Sequence, residues 1–344
     1  MRSAFAGLTV VAVIAELVQA APTPVPWYSG HTKLEPQDSK DDYYISLGPR
    51  PFYIVDNMTD SPLKTKLKSC ENGPFKITDF SIGHRGGATL QIPEESVENA
   101  MAGARFGAGI LECDTSLTKD KGLVCRHSLC DLHTTTNILL NETLAEKCAV
   151  PFTPANDTAD ANAVCCTTDI TTAEYLTLCA KMDGFNASAT NVEDYQHGIP
   201  TWRTELYDTC ATVQTLESYI DLVDSLPGYR NFTPELKSFA ADARTAEYAV
   251  YPPGYTQEQY ARDFANTFIR KGIDPARVWM QSFNPPDIFQ WIAEFPQFGN
   301  HAVYLDESGD TPETYTAAVA LLPSLKAQGV VSPPLPPLLP RELG

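Results

Sequence analysis

Three short patterns bring together residue types that can do phosphate chemistry. His84-Arg85-Gly86-Gly87 is followed by Pro93-Glu94. Glu112-Cys113-Asp114 is followed by Val124-Cys125-Arg126-His127, and Glu235-Leu236-Lys237 comes further on. Side chains at i and i+2 of a strand share a face, so Glu112 points with Asp114 and Glu235 with Lys237. Three carboxylates converging from two strands make a hard, oxygen-lined site suited to Ca²⁺ or Mg²⁺ rather than zinc. His84 and His127 flanking it can serve as acid and base, because imidazole titrates near neutral pH. Arg85 can hold a phosphate through paired hydrogen bonds and Lys237 as a point charge. Each pattern alone has a plainer reading: Glu112 with Asp114 as a solvated strand face, Glu235 with Lys237 as a surface ion pair.

The elements that must position these residues follow from periodicity. Ile82-Gly83-His84 reads as a short buried strand entering a glycine turn. Val97, Met101, Ala104 and Ala108 recur at helical spacing, with Gly107 and Gly109 as stop signals. Residues 109–117 predict a second strand and 123–127 a further extended piece. The alternation resumes after Phe232. An extended 233–237 precedes a helix with Tyr260, Phe264 and Phe268 on one face, ending near Gly272. Then come a strand at 278–283, a helix carrying Ile288, Trp291, Ile292 and Phe295, and a strand at 302–306. A helix at 315–326 and a strand at 329–332 complete the pattern. Repeated strand-then-helix units predict a parallel α/β fold, open or barrel. Residues 128–230 hold six of the nine cysteines and three of the five glycosylation sequons. They read as an insertion held by disulfides rather than by a second hydrophobic core.

Composition bounds the rest. A chain of 344 residues, 43% hydrophobic and 20% charged, suits one large domain with decoration. Arg2, the apolar run 4–15 and the small residues of Val18-Gln19-Ala20 predict a signal peptide over 1–20. The run is shorter than the roughly 18 apolar residues a bilayer span needs, so no transmembrane segment is expected. Residues 21–75, rich in proline and polar side chains, predict an irregular lead-in. A net charge of −18 repels phosphate backbones and argues against nucleic acid as a partner. Nine cysteines behind a signal peptide predict disulfides with one thiol left over. Asn57, Asn141, Asn156, Asn186 and Asn231 each begin a sequon, which fits a secreted glycoprotein, with cell-wall association open. The Pro-rich stretch 332–340 resembles an SH3 ligand. No G-x-S-x-G or H-E-x-x-H occurs, which argues against a serine hydrolase or a zincin.

The order and spacing of the motifs add a resemblance. The run from His84 through Thr134-Thr135-Thr136 resembles the glycerophosphodiester phosphodiesterase family: an HRG turn, a P-E pair, an E-x-D strand, then a histidine and a Thr-rich turn. Thr233-Pro234-Glu235-Leu236-Lys237 is similar to its E-x-K strand and Gln281-Ser282-Phe283 to its Q-S-F strand, and the secreted fungal members look closest. The resemblance implies a TIM-type (β/α)8 barrel over 76–344 and hydrolysis of small glycerophosphodiesters to glycerol 3-phosphate and an alcohol. It implies His84 and His127 as the acid/base pair, and Glu112, Asp114 and Glu235 as ligands of one divalent cation, Ca²⁺ or Mg²⁺. Arg85 and Lys237 would contact phosphate, with Glu94 near or behind the metal. Two departures stand out. The usual P-E-N reads Pro93-Glu94-Glu95, its extra charge either weakening a contact or facing solvent, and Ser128 follows His127 where Asp is common. Counting strands at Ile82, Glu112, Glu235, Gln281, Tyr304 and Val330 predicts a barrel truncated to about six. The alternatives are a phospholipase-D-like enzyme acting on intact lipids, which Glu235 disfavours, and a non-catalytic secreted relative.

Overall fold

The computed structural model describes residues 45–204, 210–239 and 243–330. The expected signal peptide and the Pro-rich stretch lie outside them. The strands of the main sheet are β1 (Thr78–Gly83), β2 (Ala108–Leu111), β3 (Asp114–Leu117), β4 (Leu123–Cys125), β5 (Asn231–Phe232), β6 (Glu235–Leu236), β7 (Gln281–Ser282) and β8 (Val303–Tyr304). β2 and β3 form one strand position interrupted at Glu112-Cys113, and β5 and β6 another interrupted at Thr233-Pro234. The parallel ladder runs β1, then β2/β3, β5/β6, β7 and β8, while β4 returns antiparallel against β3. Successive strands joined by helices and paired in chain order are the TIM-type architecture.

The helices carry readable caps. Thr256 accepts the Gln259 N–H, and the Gln259 side chain accepts the Thr256 N–H in return, starting the helix Gln257–Arg270. Its Tyr260, Phe264 and Phe268 are fully buried on one stripe. Phe264 stacks on Trp291 of the helix Pro285–Glu294 at 5.5 Å between ring centroids, and Phe268 meets Phe232 of β5 edge-on at 5.7 Å. These contacts join the sheet to its outer helices.

Several expectations need correction. The first helix is Val97–Arg105, and Ala108 belongs to β2: Gly107, at φ +96°, ends the helix three residues before the last position of the apolar spacing. β1 is exposed rather than buried, with Phe80 at 96% and Ile82 at 54%, because among the described residues only β2 pairs with it. Residues 50–56 and 62–68 of the expected irregular lead-in are helical, the second started by Ser61 ahead of Pro62. The strand expected at 329–332 begins differently: Val330 donates its N–H to the Leu325 carbonyl rather than to a ladder neighbour. Residues 331 and 332 lie outside the described set.

The insertion has a core of its own. Leu132, Ile138, Leu144, Ala163, Ile170, Tyr175 and Tyr195 cluster together with Cys148 and Cys165. Disulfides Cys130–Cys166, Cys148–Cys165 and Cys179–Cys210 brace it. The expectation of disulfides instead of a core is therefore corrected to disulfides around a core. The helix Leu216–Ser225 packs with the main cluster through Leu216, Tyr219, Ile220 and Val223, so these residues serve the barrel rather than the insertion. The fourth disulfide, Cys113–Cys125, lies in the sheet, and Cys70 is the exposed remaining thiol. Of the sequons, Asn57, Asn141, Asn156 and Asn186 are exposed. Asn231 is buried in β5, and its amide donates to Asp79 at 3.0 Å, which closes that sequon in the folded chain.

Candidate active site

The site forms where the strands end. Glu235 pairs in register with Asp114 on one side and Gln281 on the other. Three adjacent strands thus present Asp114, Glu235 and Gln281 at one level. Glu112 occupies the interruption between β2 and β3, its N–H bonded to the Gly83 carbonyl. Carboxylate oxygens of Glu112, Asp114 and Glu235 all lie within 4.8 Å of one another, and all three residues are buried.

The turn after β1 is built for close approach. Gly86 and Gly87 have φ of +101° and +106°, and a Cβ on Gly103 would sit 1.9 Å from the Gly86 carbonyl oxygen. Only glycines let the helix Val97–Arg105 pack this tightly against the turn. Arg85 itself is left-handed, at φ +52°, and its N–H donates to Glu112 Oε2 at 2.6 Å. A non-glycine residue in that region is strained unless its surroundings hold it there. Here the Arg85 N–H bond to Glu112 helps to hold that backbone and ties the turn to the carboxylate. Gln281 holds the other Glu112 oxygen, donating to Oε1 at 2.9 Å.

Charge pairing fills the cluster. Lys237 Nζ lies 2.6 Å from Glu235 Oε1 and 3.2 Å from Asp114 Oδ1. Arg85 Nη1 donates to Glu94 at 3.3 Å, and its Nε lies 3.6 Å from Asp114 Oδ2. Burial pushes the Asp114 carboxyl up, but Lys237, His127 and Arg85 outweigh it and hold the group below the usual carboxylate range. Burial and the Asp114 charge raise Glu112 well above that range and bring Glu235 to about 7. Asp114 Oδ2 is buried with no hydrogen-bond donor among the described residues. Three crowded carboxylates, two of them driven toward protonation, with an orphaned oxygen between them, suit a divalent cation.

The histidines flank this cluster. His84 is 69% exposed, its Nε2 3.7 Å from Glu112 Oε2. Burial, then Arg85, lowers its pKa. His127 follows β4, and burial pulls it down to about 4. A ring nitrogen of His127 and carboxylate oxygens of Glu94 and Asp131 lie within 4.8 Å of one another. Asp131 Oδ2 accepts the Ser128 N–H at 2.9 Å, so a carboxylate reaches the histidine from three residues past Ser128. All eight residues singled out in the sequence therefore gather on one face.

Four neighbours had no role assigned from the sequence: Arg203 and Asp131 went unnoticed, and Gln281 and Glu95 were noticed only as motif positions. Gln281 was read only as part of a strand. Asp131 carried no spacing signal. Arg203, far along the insertion, donates to Glu94 Oε2 at 3.4 Å. Glu95 is buried rather than solvent-facing, with φ +60°, and accepts the Asp114 N–H at 3.3 Å. Burial and the charges of Asp114 and Glu112 raise its pKa well above the carboxylate range.

The family model of glycerophosphoryl diester phosphodiesterases matches residues 84–292, more than half of the sequence and every residue of this cluster. The chain belongs to that family. An extracellular protein of Arthroderma benhamiae is 36% identical over 166 residues, covering 47% of this chain and 64% of that protein. A structure from Silicibacter pomeroyi named for the family activity is 16% identical with a TM-score of 0.47, covering 76% of this chain and 82% of that one. A phosphodiesterase from Oleispira antarctica, solved with the product sn-glycerol-3-phosphate, is 15% identical with a TM-score of 0.40, covering 73% and 81%. Family membership accounts for the barrel order of the strands and for the E-x-D and E-x-K strands meeting at one level.

Proposed function

We propose that the chain hydrolyses small glycerophosphodiesters to glycerol 3-phosphate and an alcohol, as a secreted enzyme using one divalent cation. The observation that carries this reading is the mutual approach of Glu112, Asp114 and Glu235, with a histidine on either side. Those carboxylates would hold the ion, Ca²⁺ or Mg²⁺, whose charge would polarise the phosphoryl oxygens. Arg85 and Lys237 hold the phosphate ester, the first through its guanidinium donors and the second as a point charge. Glu94, fully buried, orients Arg85. One histidine takes the proton of the attacking water and the other protonates the leaving alkoxide. His84 faces solvent and can exchange its proton readily. His127 is enclosed, with carboxylate oxygens of Glu94 and Asp131 within 4.8 Å of a ring nitrogen. The insertion leaves the barrel after His127 and limits substrate size at the mouth of the site.

The test is release of glycerol 3-phosphate from glycerophosphocholine by the purified chain, with and without chelator. Glu235→Gln should lose both turnover and metal-dependent thermal protection. Absence of product in the wild type, or turnover indifferent to both chelator and substitution, would sink the assignment.

A further inference from the structure

The insertion brings one residue, Arg203, to this cluster that none of the catalytic motifs contains. Arg203 follows a turn in which its own N–H donates to the Pro200 carbonyl at 3.0 Å. The next residue, Thr204, donates its N–H to Leu90 at 2.9 Å, in the loop after the His84 turn. Trp202 stacks on the guanidinium, 4.6 Å from ring centroid to Cζ, with its own ring 63% exposed. This packing lays Arg203 along the wall of the site, where its side chain is only 6% exposed.

A guanidinium offers five N–H donors. The contact given to this one is Nη2 on Glu94 Oε2, at 3.4 Å. Its Nε and Nη1 are buried without an acceptor among the described residues, and so is Arg85 Nε. Arg85 and Arg203 converge on the one Glu94 carboxylate, while Arg85 Nε also faces Asp114 Oδ2 at 3.6 Å. Two arginines clamped by one carboxylate, with buried donors unmet, form a cradle for a further anion with several acceptor oxygens. His127 closes the other side of Glu94. A phosphate ester reaching the histidine lies beside both guanidiniums.

We propose that Arg203 is a substrate-binding residue, a third cationic contact for the phosphate group beside Arg85 and Lys237, delivered by the insertion. This rests on the diesterase reading above and adds that the insertion is part of the binding site itself. The bland alternative is that Arg203 only ties the insertion to the barrel through Glu94. The two differ in what removal does to phosphate affinity.

The experiment compares wild type, Arg203→Ala and Arg203→Lys, each first shown to melt cooperatively. Inorganic phosphate is titrated calorimetrically, and KM and kcat are measured with glycerophosphocholine. Loss of a charge-assisted contact should weaken phosphate binding and raise KM by on the order of 10- to 100-fold in the alanine variant. Lysine should restore part of the affinity through its charge. Phosphate affinity and KM equal to wild type in a folded Arg203→Ala would overturn the proposal. So would a variant whose only change is a lower melting temperature. Should the wild type bind phosphate through Arg203 yet release no glycerol 3-phosphate, the diesterase reading fails and this one stands. If it turns over substrate with Arg203 dispensable, the reverse holds.

Discussion

The disulfide Cys113–Cys125 ties the two halves of the site together, and its removal gives a measurable forecast. Cys113 stands between Glu112 and Asp114, and Cys125 lies two residues before His127. By strand alternation Cys113 points away from the carboxylates, so the crosslink clamps β3 to β4 behind the site. Backbone pairing also holds the two strands: Arg126 donates its N–H to the Asp114 carbonyl at 2.7 Å. The cysteines are 12 positions apart. For a loop of about that length, chain-entropy arithmetic assigns the crosslink roughly 2.8 kcal/mol. Both cysteines are fully buried, so replacing them with alanine also loses packing. In a domain of this size each kcal/mol is worth about 2–4 °C, so Cys113→Ala/Cys125→Ala should melt about 6–11 °C below wild type. Turnover should fall by about 10- to 100-fold, because a carboxylate strand and a histidine strand that shift independently lose the geometry of attack. The assay is thermal unfolding followed by circular dichroism, paired with the glycerophosphocholine assay. A melting shift below about 2 °C would mean the loop is already ordered without the crosslink, and the entropic argument would fail.

Two other outcomes are expected. His84→Ala and His127→Ala should each lower kcat by about 10²–10⁴-fold while leaving cation affinity nearly unchanged; near-normal turnover in either would remove that residue from the mechanism. In the insertion core, His133 is buried, its Nδ1 accepting the Cys165 N–H at 3.3 Å and its Nε2 3.1 Å from Arg244 Nη1. Burial, then Arg244 and Lys181, depresses it from 6.5 to about 3. A histidine depressed in the folded state contributes stability that is fully present above pH 6.5 and is lost as pH falls toward 3. At most this is on the order of 5 kcal/mol. His133→Asn, which keeps an acceptor near Nδ1, should flatten the acid limb of the melting profile. An unchanged limb would place the acid sensitivity elsewhere.

Helices were legible in the sequence where a long apolar period met a cap. The stripe of Tyr260, Phe264 and Phe268 marked one helix and its end near Gly272, two residues past Arg270, while its start at Thr256 was not read. Short strands were legible by position but not in extent, since alanine and glycine carry little pattern: Ala108 fitted the helical spacing as well as it fits β2. The exposure of β1 depends on which strands flank it, a fact no local window contains. The helix Pro62–Lys68 was overlooked although Ser61-Pro62 is a readable start, because proline-rich surroundings masked it. The insertion core was hidden for a related reason. Its apolar residues come from segments too short to show a period, and cysteines drew the attention instead.

The site was legible to the extent that i, i+2 geometry sets it. Glu112 with Asp114 and Glu235 with Lys237 converge because two strands end at one level, which the spacing implies. Arg203 reaches the site only through tertiary folding, and nothing in its neighbourhood marks it; Gln281 was marked by its Q-S-F strand, but not as a partner of Glu112. Glu95 shows the limit most sharply. Read as sequence, a carboxylate in place of an amide adds a charge beside a cluster already crowded with carboxylates. In the fold it is buried, turned inward by a left-handed backbone, and pushed well above the usual carboxylate range by burial and by Asp114. The raised pKa favours its protonated form, which has an oxygen that accepts the Asp114 N–H and a proton to donate. An amide offers the same pair of functions in much the same volume. The substitution that looks purely electrostatic in the sequence is nearly isosteric in the structure, and the raised pKa lessens the charge it adds beside the other carboxylates.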